Sequence, residues 1–183
     1  MESLKKFKKN NITLRAPEPS DINLLYEWEN DPSLWEVSNT LVPFSKHSIE
    51  QFIQDATLDI YHTKQVRWMI DLMVNGKRNT IGTIDLFDFD PLHKRAGIGI
   101  LIKEEINRNK GYASDALTLI ISYCFNTLQL HQLYCNISKE NLPSLQLFQK
   151  HGFKITGEKK DWLNRNGKWI DELFLQFIRP KST

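Results

Sequence analysis

The chain predicts a mixed α/β sheet, and three observations carry that reading. Apolar and polar residues alternate over 66–74, the period of a strand, and apolar residues recur at helical spacing after Gly111. Asn75-Gly76 and Asn166-Gly167 are hairpin turn signals on either side of one strand–helix–strand crossover. The 183 residues suit one domain of ordinary size and leave no room for a second full-sized core. No repeat, low-complexity tract or Pro/Gly/Ser-rich linker interrupts the chain between about residues 11 and 179, so residues 1–183 are expected to form a single domain. Its first ten residues, with Lys5, Lys6, Lys8 and Lys9, are expected to be a solvated, frayed start.

Ile12 to Arg15 reads as a first strand, followed by a turn and helix cap at Pro17, Pro19, Ser20 and Asp21. A helix with Ile22, Leu25 and Trp28 inward stops at Asp31-Pro32, because the residue before proline is driven from the α region. A second helix starts near Ser45 or Ser48, with Ile49, Phe52, Ile53, Ala56 and Ile60 on one face. Val66 to Val74 and Thr80 to Phe89 form a hairpin with a slightly enlarged loop. In the strand from Ala96 to Ile102, Ala96, Ile98, Ile100 and Ile102 share one face, and Gly97 and Gly99 leave the other almost bare. Ala113, Ala116, Leu117, Ile120, Cys124 and Leu128 then mark a helix, and Leu133, Cys135 and Ile137 a strand. A short helix from Pro143 to His151 ends at Gly152, and a hairpin turning at Asn166-Gly167 closes the chain at Ile178.

Composition excludes several classes. Hydrophobic residues at 40% and charged residues at 25% are ordinary for a folded globular chain. A net charge of +2, from 24 basic against 22 acidic residues, is too near balance for a dedicated nucleic-acid surface. The most apolar run, Ala116 to Phe125, is interrupted by Thr118, Ser122 and Tyr123 and falls short of the ~20 residues that cross a bilayer, so no membrane partner is expected. No apolar stretch follows the early lysines, and Cys124 and Cys135 read as reduced buried thiols; both point to the cytoplasm.

The segment Arg108-Asn109-Lys110-Gly111-Tyr112-Ala113 joins a strand to an amphipathic helix. Small residues at 111 and 113 let the backbone approach a ligand, and the helix start offers unpaired N–H groups to a phosphate or pyrophosphate. Gly97 and Gly99 leave room for a narrow ligand along the preceding strand, or else mark close packing. The third feature is the run from Asn141 to Phe153.

With these residues the sequence resembles the GCN5-related N-acetyltransferase superfamily. Arg108, Gly111 and Ala113 match its acetyl-CoA turn, Q/R-x-x-G-x-G/A, and Asn141, Ser144, Leu147, Lys150, Gly152 and Phe153 match its later signature, N-x-x-A/S-x-x-L-Y-x-K-x-G-F. The resemblance spans nearly the whole chain and is nearest to spermidine and diamine acetyltransferases and to ribosomal-protein N-terminal acetyltransferases. It implies a mostly antiparallel central sheet, splayed by the acetyl-CoA cleft, with helices on both faces. Pantetheine would hydrogen-bond to backbone near Ile100, Leu101 and Ile102, and pyrophosphate would rest on the turn from Arg108, Asn109 and Lys110 through Gly111, Tyr112 and Ala113 to Ser114. Asn141, Ser144, Phe148 and Lys150 would face the acetyl-CoA from the other arm. Phe148 stands where many members carry a tyrosine that protonates the departing thiolate, and Ser144 is either a substitute hydroxyl or a helix cap.

The acceptor is expected to be a small amine, a diamine or polyamine ahead of a protein N-terminus, and such an amine is almost wholly protonated at neutral pH. Asp85, among Ile81, Thr83 and Phe87 on one strand face, is the candidate base, with a hydrogen-bonded strand aspartate as the alternative. Asp88 lies on the opposite face unless a bulge intervenes. Trp35 and Glu36, in the loop after the first helix, join it as candidates for holding the acceptor, an aromatic face beside a carboxylate suiting a cation. Gly97 occupies a position where some polyamine-acetylating relatives have glutamate. No residue spacing supports a metal, and neither cysteine has the basic neighbours of a nucleophile, so direct transfer is expected. A CoA-binding protein without turnover is the rival class, and a homo-oligomer is left open.

Overall fold

The computed structural model describes residues 7–38 and 40–180, the side chains of 36–38 excepted. Eight strands form one sheet in the order β1-β2-β3-β4-β5-β6-β8-β7: β1 Lys8–Lys9, β2 Ile12–Arg15, β3 Val66–Val74, β4 Lys77–Asp90, β5 Arg95–Ile102, β6 Gln132–Ser138, β7 Lys154–Arg165 and β8 Lys168–Ile178. All neighbours are antiparallel except β5 and β6, joined by a crossover through the helix α5, Tyr112–Asn126. The other helices are α1 Ile22–Glu29, α2 Pro32–Ser38, α3 Lys46–Asp55, α4 Ile60–Thr63 and α6 Leu142–Lys150.

The strand period explains how both faces of the sheet are covered. Ile70 packs with Ile84, Leu86, Ala116, Leu117 and Ile120, against α5, while its neighbour Met69 packs with Leu25, Trp28, Ile49 and Ile53, against α1 and α3. On the second face of β3, Met69 and Asp71 are therefore buried too, and Arg67 and Met73 half-buried. Asp71, 1% exposed, is held there by Arg15, which donates to Asp71 at 2.7 Å and to both oxygens of Asp21 at 2.6 and 2.9 Å.

Several expectations are corrected. The helix stopped by Asp31-Pro32 is followed by α2, not by a loop, with proline at its first position, where a missing N–H costs nothing. Ser45 caps α3 by accepting from Ser48 N–H, Ala56 is exposed, and Ile60 begins a separate helical turn. The β3–β4 loop has two residues, Asn75 and Gly76 at φ 50° and 74°, since Val74 and Lys77 already pair. Residues 7–10 are ordered: Lys9 donates to Thr118 and pairs with Asp115, docking β1 on the start of α5. Lys5 and Lys6 lie outside the described residues.

Candidate active site

Strands β5 and β6 pair only at Arg95↔Gln132, Ala96↔Leu133 and Gly97↔Tyr134. Beyond this point β5 stays with β4 to Gly82↔Ile102, and β6 stays with β8 to Ser138↔Glu172. The two strands part, and the backbone of 98–102 is left unpaired on one edge. Two cavities lie in the parting, of about 660 and 130 Å³, with Ile98, Gly99, Ile100, Asn136, Leu163 and Glu172 lining both.

Gly99 opens onto both cavities, but Gly97 does not: a Cβ there would stand 2.2 Å from the Phe87 ring, which fills the bare face expected to take a ligand. Past the strand, the Arg108 guanidinium donates to the carbonyls of Ile102 and Lys103 at 3.1 and 2.8 Å and so ties the turn to the end of β5. Asn109 is left-handed at φ 58° and Lys110 is exposed. Gly111 caps α5 at φ 86°, with open space where a Cβ would project. Tyr112, Ala113 and Ser114 form the first turn, whose N–H groups lack intrahelical partners. Ser114 Oγ is 2.8 Å from His151 Nε2, linking this turn to the end of α6. Burial, then Lys150 and Lys9, lowers the His151 pKa and keeps the ring neutral at pH 7.

The smaller cavity is closed by α6. Asn141 is its cap, accepting from Ser144 N–H at 3.2 Å, so Ser144 is the third helical residue and not the cap. The helix begins at Leu142, with Pro143 second. Asn141, Ser144 and Phe148 line the cavity, and the Phe148 ring, 3% exposed, meets Phe153 edge-on at 5.0 Å. Lys150 is exposed and lines neither cavity. Cys135 also lines the smaller cavity, but burial pushes its thiol up to about 12, where it carries no thiolate at neutral pH.

Asp85 faces the larger cavity, opposite Gly99 in the register, and it is not alone there. Arg67 Nε donates to Asp85 Oδ1 at 2.6 Å while Arg67 Nη1 engages Glu29 at the end of α1. Burial raises the Asp85 carboxyl above its ordinary value, and Arg67 opposes this without cancelling it. Across the cavity, Lys159 Nζ donates to Glu172 Oε2 at 2.8 Å and to Asn136 Oδ1 at 2.9 Å. A β-bulge after Lys159 sets Trp162 beside it, the ammonium 4.9 Å from the ring centroid.

The remaining acceptor candidates fall elsewhere. Trp35 lies in α2, donates through Nε1 to the Glu29 carbonyl at 2.9 Å, and does not line the cavity; Leu34 and Trp28 do. The Glu36 side chain lies outside the described residues. Asp88 sits on a bulge at φ 50°, exposed and accepting from Tyr134 Oη at 3.0 Å, away from both cavities. Arg67, Glu29, Asn136, Lys159, Trp162 and Glu172 were missed by sequence reasoning. Only Arg67 had a signal, as a cation alternating with apolar residues in a strand of a two-sided sheet.

A sheet parted between two parallel strands, with a glycine-capped helix at the end of one of them, defines a protein that lays a narrow phosphate-bearing ligand along unpaired backbone. The chain belongs to the Acetyltransferase (GNAT) domain family, matched over residues 11–154. It is an N-acetyltransferase whose acyl donor is acetyl-CoA. The residues present fit that donor: Gly111 leaves its turn open, and Gly99 and the unpaired edge of β5 face the parting. A spermidine N(1)-acetyltransferase of Vibrio cholerae is 23% identical over 94% of this chain and 95% of its own. An L-amino acid N-acetyltransferase of Escherichia coli is 26% identical over 93% of this chain and 99% of its own. The crystal structure of spermidine N-acetyltransferase from Vibrio cholerae in complex with CoA and spermine superposes with a TM-score of 0.81, at 22% identity over 93% of this chain and 96% of that one.

Proposed function

We propose that the acceptor is a small cationic amine, a diamine or polyamine, acetylated by direct attack on the thioester while donor and acceptor are bound together. The observation that carries this reading is the lining of the larger cavity. Glu29, Asp85 and Glu172 outnumber Arg67 and Lys159 there, between apolar walls from Leu25, Trp28, Phe52 and Phe87. An excess carboxylate in a partly enclosed cleft attracts an alkylammonium and is screened less than on an open surface. The likeness to spermidine acetyltransferases supports the same class.

Within this reading, backbone N–H groups of Ile100 to Ile102 hold the pantetheine arm and polarise the thioester carbonyl. The turn from Arg108 to Ser114 takes the pyrophosphate, and Asn141, Ser144, Phe148 and Lys150 belong to the facing arm. Asp85 receives the acceptor's proton, directly or through water, its carboxylate retaining lone pairs that Arg67 does not use. The protonated Cys135 gives no route to a covalent acetyl-enzyme. Two buried, unpaired cysteines support a cytoplasmic setting. Initial rates measured while both substrates are varied should give intersecting double-reciprocal lines. Parallel lines would require an acetyl-enzyme and overturn direct transfer.

A further inference from the structure

The ammonium of Lys159 has three kinds of partner around it. A lysine ammonium has three N–H donors and no acceptor. Here two of them meet Glu172 Oε2 at 2.8 Å and Asn136 Oδ1 at 2.9 Å, and the indole face of Trp162 lies 4.9 Å away. Carboxylate, amide oxygen and aromatic face are the three kinds of partner that recognise a desolvated ammonium. Glu172 is 6% exposed, and the Lys159 ammonium is the cation it meets in this place.

All four side chains line the larger cavity, across from Glu29, Arg67 and Asp85. Trp162 owes its position to the bulge, which sets Lys160, Asp161 and Trp162 against Asp171 alone between the pairs Lys159↔Glu172 and Leu163↔Ile170. The Lys159 side chain, a third exposed, carries its ammonium at the end of a long, flexible stem, which can swing out without unfolding the strand. Once it has left, the cavity lining carries three carboxylates against the single guanidinium of Arg67, the balance that suits a dication.

We propose that Glu172, Asn136 and Trp162 form a subsite for the second, non-reacting ammonium of a diamine acceptor, and that Lys159 fills it in the free protein as a tethered competitor. The proposal rests on the acetyl-transfer reading and deepens it: the acceptor is held at both ends, one amine near Asp85 and the other across the cavity. An occupant that must first be displaced weakens apparent affinity by the fraction of time the site is free. A plug in place nine-tenths of the time corresponds to about a tenfold penalty.

The test is calorimetric binding of 1,4-diaminobutane and 1-aminobutane to wild type, Lys159→Met, Lys159→Arg and Lys159→Met/Glu172→Gln, with circular dichroism to verify folding and thiol release followed in parallel. Lys159→Met should tighten diamine binding about tenfold and leave the monoamine unchanged. Lys159→Arg, still filling the cage, should give no gain, and adding Glu172→Gln should abolish it. If Lys159→Met does not fold, Lys159→Gln makes the same comparison. Diamine affinity that is unchanged, or that shifts equally with the monoamine, would overturn the subsite. Thiol release with no diamine preference would leave acetyl transfer standing and remove this inference. The expected affinity pattern without thiol release would do the reverse.

Discussion

Arg67 on β3 and Asp85 on β4 face each other in the strand register and are joined by a 2.6 Å hydrogen bond from Nε to Oδ1, while the same guanidinium holds Glu29. Burial works against the charge on Arg67, and its two carboxylates outweigh that effect and keep it protonated. The base proposed for the acceptor therefore sits in a fixed orientation, with its carboxyl still above the ordinary range.

Asp85→Asn should lower kcat/KM at least ~10-fold at neutral pH, a general base being worth ~10²-fold or more. Asp85 acts as a carboxylate, so wild-type activity should rise with pH along a limb displaced above the usual carboxylate value of about 3.9. The deficit of the variant should shrink as pH rises, because free amine then forms without help. A pH–rate profile parallel to wild type would assign the proton to another acceptor.

Gly111→Trp should abolish acetyl-CoA binding in a folded protein. Nothing lies within 4 Å of the position a Cβ would take, so a side chain starts from open space at this turn. The φ of 86° adds about 1–2 kcal/mol of strain, which lowers the melting temperature modestly. Calorimetry showing wild-type affinity would remove the pyrophosphate from this turn.

Phe148→Tyr should raise kcat and leave acetyl-CoA affinity unchanged. Phe148 lines the smaller cavity, and where thiolate departure limits the rate a hydroxyl added there would supply the proton. A loss of affinity would show instead that the hydroxyl disturbs the edge-on packing against Phe153.

Arg15→Met should destabilise the fold by about 3–5 kcal/mol, since it removes the guanidinium shared by the buried carboxylates of Asp21 and Asp71 and leaves Asp71 with only the longer 3.6 Å pair to Arg78 and the Thr80 hydroxyl. Burial raises the Asp21 pKa, but hydrogen bonds from Arg15 and from the Glu18 N–H prevail and lower it. The unfolded chain then takes up the proton first as pH falls below about 3.9, so this stability is present above that pH and lost on acidification. Chemical denaturation at pH 7 and pH 3 should show a smaller difference for the variant, and an equal difference would contradict it.

Much of this architecture was legible because the strands and helices that matter have clean periods and hard punctuation. Gly152 takes the left-handed conformation foreseen for a helix end, a helix follows Gly111 as the apolar spacing requires, and the hairpin expected over 66–89 falls where alternation places it. The site was half legible. The free edge of β5 was implied only by the family resemblance, whereas the glycine turn from Arg108 to Ser114 follows from local chemistry. The acceptor wall does not, because Glu29, Arg67 and Asp85 come from three elements, and Lys159 meets Asn136 only through the order β6-β8-β7. At Gly97, where the bare face left both ligand room and close packing open, Phe87 from the adjacent strand has taken the space and the packing reading holds.

The most direct measurement is thiol release from acetyl-CoA by the purified protein, with diamines, polyamines, amino acids and N-terminal peptides offered in turn and the acetylated products identified by mass spectrometry. Thiol should be released only when an amine is present, fastest with diamines or polyamines, with one acetylated amine for each thiol set free. Acetyl-CoA binding without thiol release for any amine, or turnover confined to peptides, would contradict acetyl transfer to a small amine.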